Sequence, residues 1–182
     1  MQILVADVRR SLTDLESLPH LFAHATSAPA MQEATARIAS LVSERLDRTE
    51  WTGPRYVVLC DDYDLVSGPT GSPLSPLLDL FALGRDIGLH AVIARRVGGS
   101  ARGAYEPVFS RVRELGTPGV ILSGDPGEGP LLAGLKASSQ PSGRGMLVHR
   151  GRRPVAVQLA LTRPVPLALP SAHSIHHGGE AR

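Results

Sequence analysis

The chain has 182 residues, 42% of them apolar and 20% charged, with a formal net charge of +2. That composition suits one globular domain with a sizeable aliphatic core, and the near-neutral balance makes no general case for nucleic-acid binding, since the basic residues are 18 arginines and one lysine, Lys136. A single cysteine, Cys60, excludes an intrachain disulfide framework or a cysteine metal cluster, and no apolar stretch approaches the roughly 18 to 20 residues that span a bilayer, so the chain itself reads as cytoplasmic.

In chain order, "QILVAD" at the N-terminus is a short apolar strand ending in an acid, Asp7. From Pro29 to Leu46, Met31, Ala34, Ile38, Leu41, Val42 and Leu46 recur at three- and four-residue spacing, which predicts an amphipathic helix. Gly53 and Pro54 end that pattern. The run Tyr56 to Cys60 is continuously apolar, as expected of a strand in a parallel sheet, and it ends in the adjacent acids Asp61 and Asp62. A second helix is predicted over Leu74 to Asp86 with Gly88 as its stop, followed by a strand in "LHAVIA". After the basic, glycine-rich turn "RRVGGSARGAYEP" come a helix near Val108 to Leu115, a strand in "GVILS", and a short segment "PLLAGLKA" whose Lys136 reads as a surface helix residue. "GMLVHRGRRPVAVQLA" reads as two strands joined by a tight basic turn. Residues 161–182 are Pro-, His- and Gly-rich without period and are expected to form a mobile tail beyond a domain at 1–160.

Strands alternating with helices predict an α/β fold with a mostly parallel sheet, whose ligands gather at the carboxyl ends of the strands. Asp7, Asp61 and Arg95 all fall at such ends. An apolar strand ending in two acids fits a magnesium-nucleotide site, with Asp61 on the metal side and Asp62 orienting an attacking water, although apolar strands ending in Asp are common and by itself the pattern is more often a solvated strand end. The complementary phosphate loop, G-x-x-x-x-G-K-[ST], is absent; Gly129 and Gly134 have its glycine spacing, but Leu135 interrupts the Gly-Lys pair. Ser123 lacks a nucleophile elbow. His173, His176 and His177 fall in the tail, and His20, His24 and His90 read as packed or capping side chains. Arg85, Arg95, Arg96 and Arg102 sit at a helix end and after the third strand, where guanidinium groups reach phosphates or else form a salt-bridged surface.

Taken together, "LVADVRRSL", "LPHLFAHATS", "WTGPRYVVLCDDYDLV", "SPLLDLFALGRDIGLHAVIARRVGG" and "PSGRGMLV" resemble the FtsK/SpoIIIE ATPases, most closely the last ATPase domain of the EccC type of type VII secretion. The resemblance runs from about residue 2 to residue 160. It implies a RecA-like P-loop NTPase core, N-terminally incomplete, in which "YVVLCDD" is the Walker B strand and "HAVIARR" the sensor strand. It also implies ATP and Mg2+ as cofactors, with Asp61 as the metal-side acid, Asp62 as the catalytic acid, Arg95 and Arg96 near the nucleotide, and Arg85 or Arg102 as arginine fingers. The partners implied are other ATPase domains of the same motor in a homo-oligomer, and small helical secreted substrates bound through a C-terminal signal. The resemblance further implies that the intact protein is anchored at the inner face of the membrane. Where DNA-translocating members carry a Thr-Gln type sequence after the sensor strand, this chain carries Arg95 and Arg96, which favours protein export over a DNA-translocase role. The family's Walker A loop precedes the strand equivalent to "QILVAD", so ATP hydrolysis by this chain alone is expected to be negligible. A degenerate scaffold without ligand function is the remaining alternative.

Overall fold

A computed structural model describes residues 1–68, 71–99 and 106–161. The first four strands, β1 (Gln2–Ala6), β2 (Leu21–Ala25), β3 (Tyr56–Cys60) and β4 (Leu89–Ile93), form one parallel sheet in the order β2-β1-β3-β4. All four carboxyl ends therefore lie along one edge. β2 is a strand that sequence periodicity does not mark, because His24 interrupts its apolar run.

Helix α1 (Ala28–Ser43) crosses between β2 and β3. Ser27 caps it from an extended backbone, its Oγ accepting from Ala30 N at 3.4 Å, and Pro29 lies in the first turn where no helical N–H is needed. Met31, Ala34, Thr35, Ile38 and Val42 form the buried stripe. Leu41 and Leu46, expected on that stripe, are exposed, and the helix stops short of Leu46 because the chain tightens there into i→i−3 bonds from Arg45 to Val42 and from Leu46 to Ser43.

The single helix expected over Leu74 to Asp86 is broken into 3-10 turns at Ser75–Leu77 and Leu80–Leu83 and a one-turn helix, α2 (Gly84–Ile87). Pro76 has no N–H to give, and the carbonyl of Pro73 is taken by the Thr35 hydroxyl at 2.6 Å, so this segment follows tertiary contacts instead of a regular ladder. Gly84 allows close packing on β4: a Cβ there would lie 2.6 Å from the Leu89 carbonyl oxygen. Gly88 ends α2 at φ 71°, the stop its sequence position predicts.

The main core cluster lies on one face of the parallel sheet, while Val5 of the central β1 is buried on the other. Leu4, Ala6, Val58 and Cys60 pack against Met31, Ile38 and Val42 of α1, with Tyr63, Leu74, Leu77 and Val108 completing the cluster. Each aliphatic side chain fully buried there contributes about 1.5–3 kcal/mol. Toward β4, one of the two edge strands, that other face is less covered: His90 is exposed and Val92 is 59% exposed.

After helix α3 (Pro107–Glu114), the expected strand in "GVILS" forms as β5 (Gly119–Ile121), but it does not extend the parallel sheet. It pairs antiparallel with β8 (Arg144–Val148), which pairs antiparallel with β9 (Val155–Gln158), the two strands expected around the basic turn. Between them β6 (Pro130–Leu132) and β7 (Leu135–Lys136) make a hairpin, so Lys136 is an exposed strand residue and not a helical one. Ala133 and Gly134 take positive φ at its tip, which suits a two-residue turn. The tail from residue 162 lies outside the described residues, with His173, His176 and His177.

Candidate functional site

Asp7 and Asp61 are the residues immediately beyond β1 and β3, and each is held by one more rung of the sheet. Asp7 N donates to Ala25 O at 2.9 Å and Asp61 N donates to Ala6 O at 3.0 Å, while Ala94, after β4, donates to Cys60 O at 2.8 Å. The acid positions therefore inherit the rigidity of the strands.

Past Asp61 the chain reverses sharply. Asp62 has φ 47° and ψ 42°, a left-handed conformation that costs a non-glycine residue energy and that Asp tolerates better than most. Its N–H donates to Asp61 Oδ1 at 2.9 Å, and its own Oδ2 accepts from Arg9 Nε at 2.8 Å. Among the described residues Asp61 has no ion-pair partner.

Asp7 is almost fully buried under the loop that follows β1. It accepts from Leu12 N at 2.7 Å and Ser11 N at 3.0 Å, and His24 Nε2 lies 3.4 Å away. Burial by itself would raise its carboxyl pKa, but the backbone donors and His24 outweigh burial and hold it below the ordinary carboxylate value. The other His24 nitrogen meets Glu16 at 2.7 Å, so His24 is the packed side chain expected, here set between two carboxylates.

Arg96 donates from its backbone N to Asp64 Oδ1 at 3.1 Å and from its guanidinium to Asp64 Oδ2 at 2.9 Å. Burial pushes the Asp64 carboxyl up, but these bonds and the nearby positive charge bring it below its ordinary value. The Arg95 guanidinium carbon lies 4.8 Å from the Phe109 ring centroid, within cation–π range. Arg95, Arg96, Asp61 and Asp62 thus share the carboxyl edge of the sheet. Arg85 does not join them: it is exposed on α2, which leads into the amino end of β4, and Arg102 lies outside the described residues.

Three contributors escaped sequence reasoning. Tyr63, the residue after the acids, is fully buried, with its hydroxyl hydrogen-bonded to Ser72 Oγ at 2.6 Å and Glu106 Oε1 at 2.8 Å, and burial pushes its phenol well above the ordinary value. Glu106 also caps α3, accepting from Val108 N and Phe109 N, a role that Glu followed by Pro107 signals only weakly. Arg9 had no local signal beyond its place in the loop after β1. Cys60 is buried as expected, and burial together with the charge of Asp61 pushes its thiol up to about 12.

Among the described residues no group of three or more His, Cys, Asp or Glu is placed to hold a metal. Magnesium needs no such cage, because it keeps several waters and takes one or two carboxylates together with substrate phosphates. Asp61 fits the carboxylate part of that requirement. A cleft of about 620 Å³ lined by Arg113, Thr117, Leu132, Val148 and Arg150 lies elsewhere, between α3 and the antiparallel strands.

No family model matches the chain. Among curated proteins it is 36% identical over 174 residues, 90% of this chain, to the ESX-4 secretion system protein EccC4 of Mycobacterium tuberculosis. It is 36% identical over 160 residues, 82% of this chain, to the ESX secretion system protein EccC of Thermomonospora curvata. Among solved structures, ATPases 2 and 3 of Thermomonospora curvata EccC, in complex with a signal sequence peptide, match 90% of this chain with a TM-score of 0.83 and 33% identity. ATPases 2 and 3 of EssC from Geobacillus thermodenitrificans share the fold alone, with a TM-score of 0.56 at 16% identity.

The sheet, its crossovers and these likenesses define a RecA-like α/β domain of the FtsK/SpoIIIE-type P-loop ATPases. Within that class the chain belongs with EccC, the type VII secretion ATPase, and is homologous to one ATPase segment of it. It spans 14% of the length of EccC4 and 31% of the solved two-ATPase chain. No helix among the described residues is long and apolar enough to cross a membrane.

Proposed function

We propose that the chain is part of the last ATPase domain of a type VII secretion motor, acting on the cytoplasmic side of the membrane, with ATP and Mg2+ bound at a domain or subunit interface. The observation that carries this reading is the pair Asp61 and Asp62 at the end of β3, on a scaffold 36% identical over most of its length to a secretion ATPase. In it Asp61 is the metal-side carboxylate and Asp62 the acid that orients water. The Asp62 carboxylate is one methylene shorter than the glutamate usual in this family, which favours slow turnover. Arg95 and Arg96 stand at the same edge and are proposed to face the nucleotide, and Arg85 or Arg102 to reach a neighbouring copy.

A nucleotide bound here would supply phosphate oxygens that share the metal with water and a protein carboxylate. This chain's residues supply the carboxylate anchor, the buried strand that fixes it, and the turn that sets the direction of Asp62. The phosphate loop is not in this sequence, so the 182-residue chain is expected to show negligible ATP hydrolysis. Rapid magnesium-dependent turnover by the purified chain would overturn that expectation. The metal-side role is tested by a chimera in which the phosphate-loop segment of Thermomonospora curvata EccC precedes Met1. Nucleotide retention by that chimera should fall at least tenfold with Asp61→Asn; unchanged retention would remove Asp61 from the site.

The relative solved with a signal sequence peptide supports a second element of the proposal, recognition of small helical exported proteins through a C-terminal signal. Arg95 and Arg96, in place of the sequence typical of DNA-translocating members, favour this over DNA as the cargo.

A further inference from the structure

We propose that Arg9 gates the acid pair, holding Asp62 in an internal ion pair and yielding it when a competing ligand for either partner arrives. The inference rests on the nucleotide-site reading of Asp61 and Asp62.

Both ends of the contact are set by rigid backbone. The loop carrying Arg9 winds around the Asp7 carboxylate, which holds Ser11 N and Leu12 N at 3.0 and 2.7 Å, and Arg10 takes a positive φ of 57° to close it. On the other side, Asp62 is fixed by its left-handed backbone and by the bond from its N–H to Asp61 Oδ1. What remains free to move is the Arg9 side chain, which is 52% exposed against 19% for Asp62.

The exposure decides how the contact behaves. An ion pair open to water is worth little, so it breaks readily, yet while formed it takes one of the two carboxylates out of service. With Arg9 in place the acid pair presents one uncompensated carboxylate, Asp61; with Arg9 withdrawn it presents two. A divalent cation or a polarised water sees a different site in each state. Arg9 is also the guanidinium already beside Asp62, so an incoming phosphate oxygen offers it an alternative partner, and the same movement that engages phosphate releases the carboxylate. Arg96 makes the corresponding bond to Asp64 through three donors and is the less easily exchanged of the two.

The test uses the 182-residue chain with Mn2+ as the probe, followed by paramagnetic broadening of the Asp61, Asp62 and Tyr63 amide resonances. Arg9→Ala should lower the Mn2+ midpoint about two- to fivefold, the range of an exposed pair. Arg9→Lys, which keeps the charge, should stay near the parent, and Asp62→Asn should abolish the gain in the Arg9→Ala background. An unchanged midpoint in Arg9→Ala, or no broadening at these amides in either protein, would overturn the gate. The nucleotide reading fails separately: if Arg9→Ala tightens Mn2+ while the chimera's nucleotide retention is indifferent to Asp61→Asn, the gate stands and that reading falls.

Discussion

Tyr63 and Glu106, 43 positions apart, meet at 2.8 Å between the phenol oxygen and Oε1, and this bond ties the turn carrying the acid pair to the start of α3. Ser72 shares the same phenol at 2.6 Å. Because Tyr63 is fully buried, Tyr63→Phe leaves two polar partners without their bond, at a cost of about 1–3 kcal/mol. Urea denaturation checks it, and a cost below about 0.5 kcal/mol would mean that the network does not hold the turn.

Arg45 plays a comparable part at the opposite edge. It is buried, donates to Ile87 O at 2.8 Å and Pro54 O at 2.9 Å, and lies 4.1 Å from the Trp51 ring centroid. Arg45→Ala leaves two carbonyls unpaired and removes the stack, for an expected loss of about 2–4 kcal/mol. Arg45→Lys should recover little of it, since an ammonium cannot reproduce the fork. Trp51 is the chain's single tryptophan, so its emission reports the change directly, and a red shift is expected.

The depressed carboxyl of Asp7 makes stability pH-dependent in a defined direction. A carboxylate whose folded pKa lies below its unfolded value stabilises the fold above the unfolded pKa, near the ordinary 3.8, and loses that contribution as pH falls through the folded one. Asp64 acts in the same sense. The stability gap between the parent and Asp7→Asn should be constant above about pH 5 and shrink on acidification below 3.8. A gap that widened there would contradict the assignment.

Among the described residues β4 pairs on one side only, with β3, and Val92 on it is 59% exposed. An unpaired strand edge beside an exposed apolar side chain on the sheet face promotes association, so the isolated chain is expected to dimerise or aggregate, and Val92→Lys to reduce this. Sedimentation velocity decides it: a clean monomer at high concentration would argue against the open edge.

The parallel strands around the acids were legible because a continuous apolar run such as Tyr56 to Cys60 states its burial locally. β2 was not, since the polarity of His24 is balanced by Asp7 and Glu16, partners found only in three dimensions. The break in the second helix depends on Thr35 taking the Pro73 carbonyl, and the separate sheet of β5 depends on its pairing with β8; neither leaves a periodic trace. At the site, the acids were visible as types at a strand end. The Arg9 contact was not, because two loops widely separated in sequence create it.

The most direct measurement of the proposed role is fluorescence anisotropy of this chain against two labelled probes under the same conditions, across a range of salt. One is a helical C-terminal signal peptide of a secreted substrate, the other a DNA duplex. The account predicts saturable peptide binding, lost when the peptide is scrambled, and no DNA binding at physiological salt. Steeply salt-dependent binding to duplex DNA with no response to the peptide would contradict it.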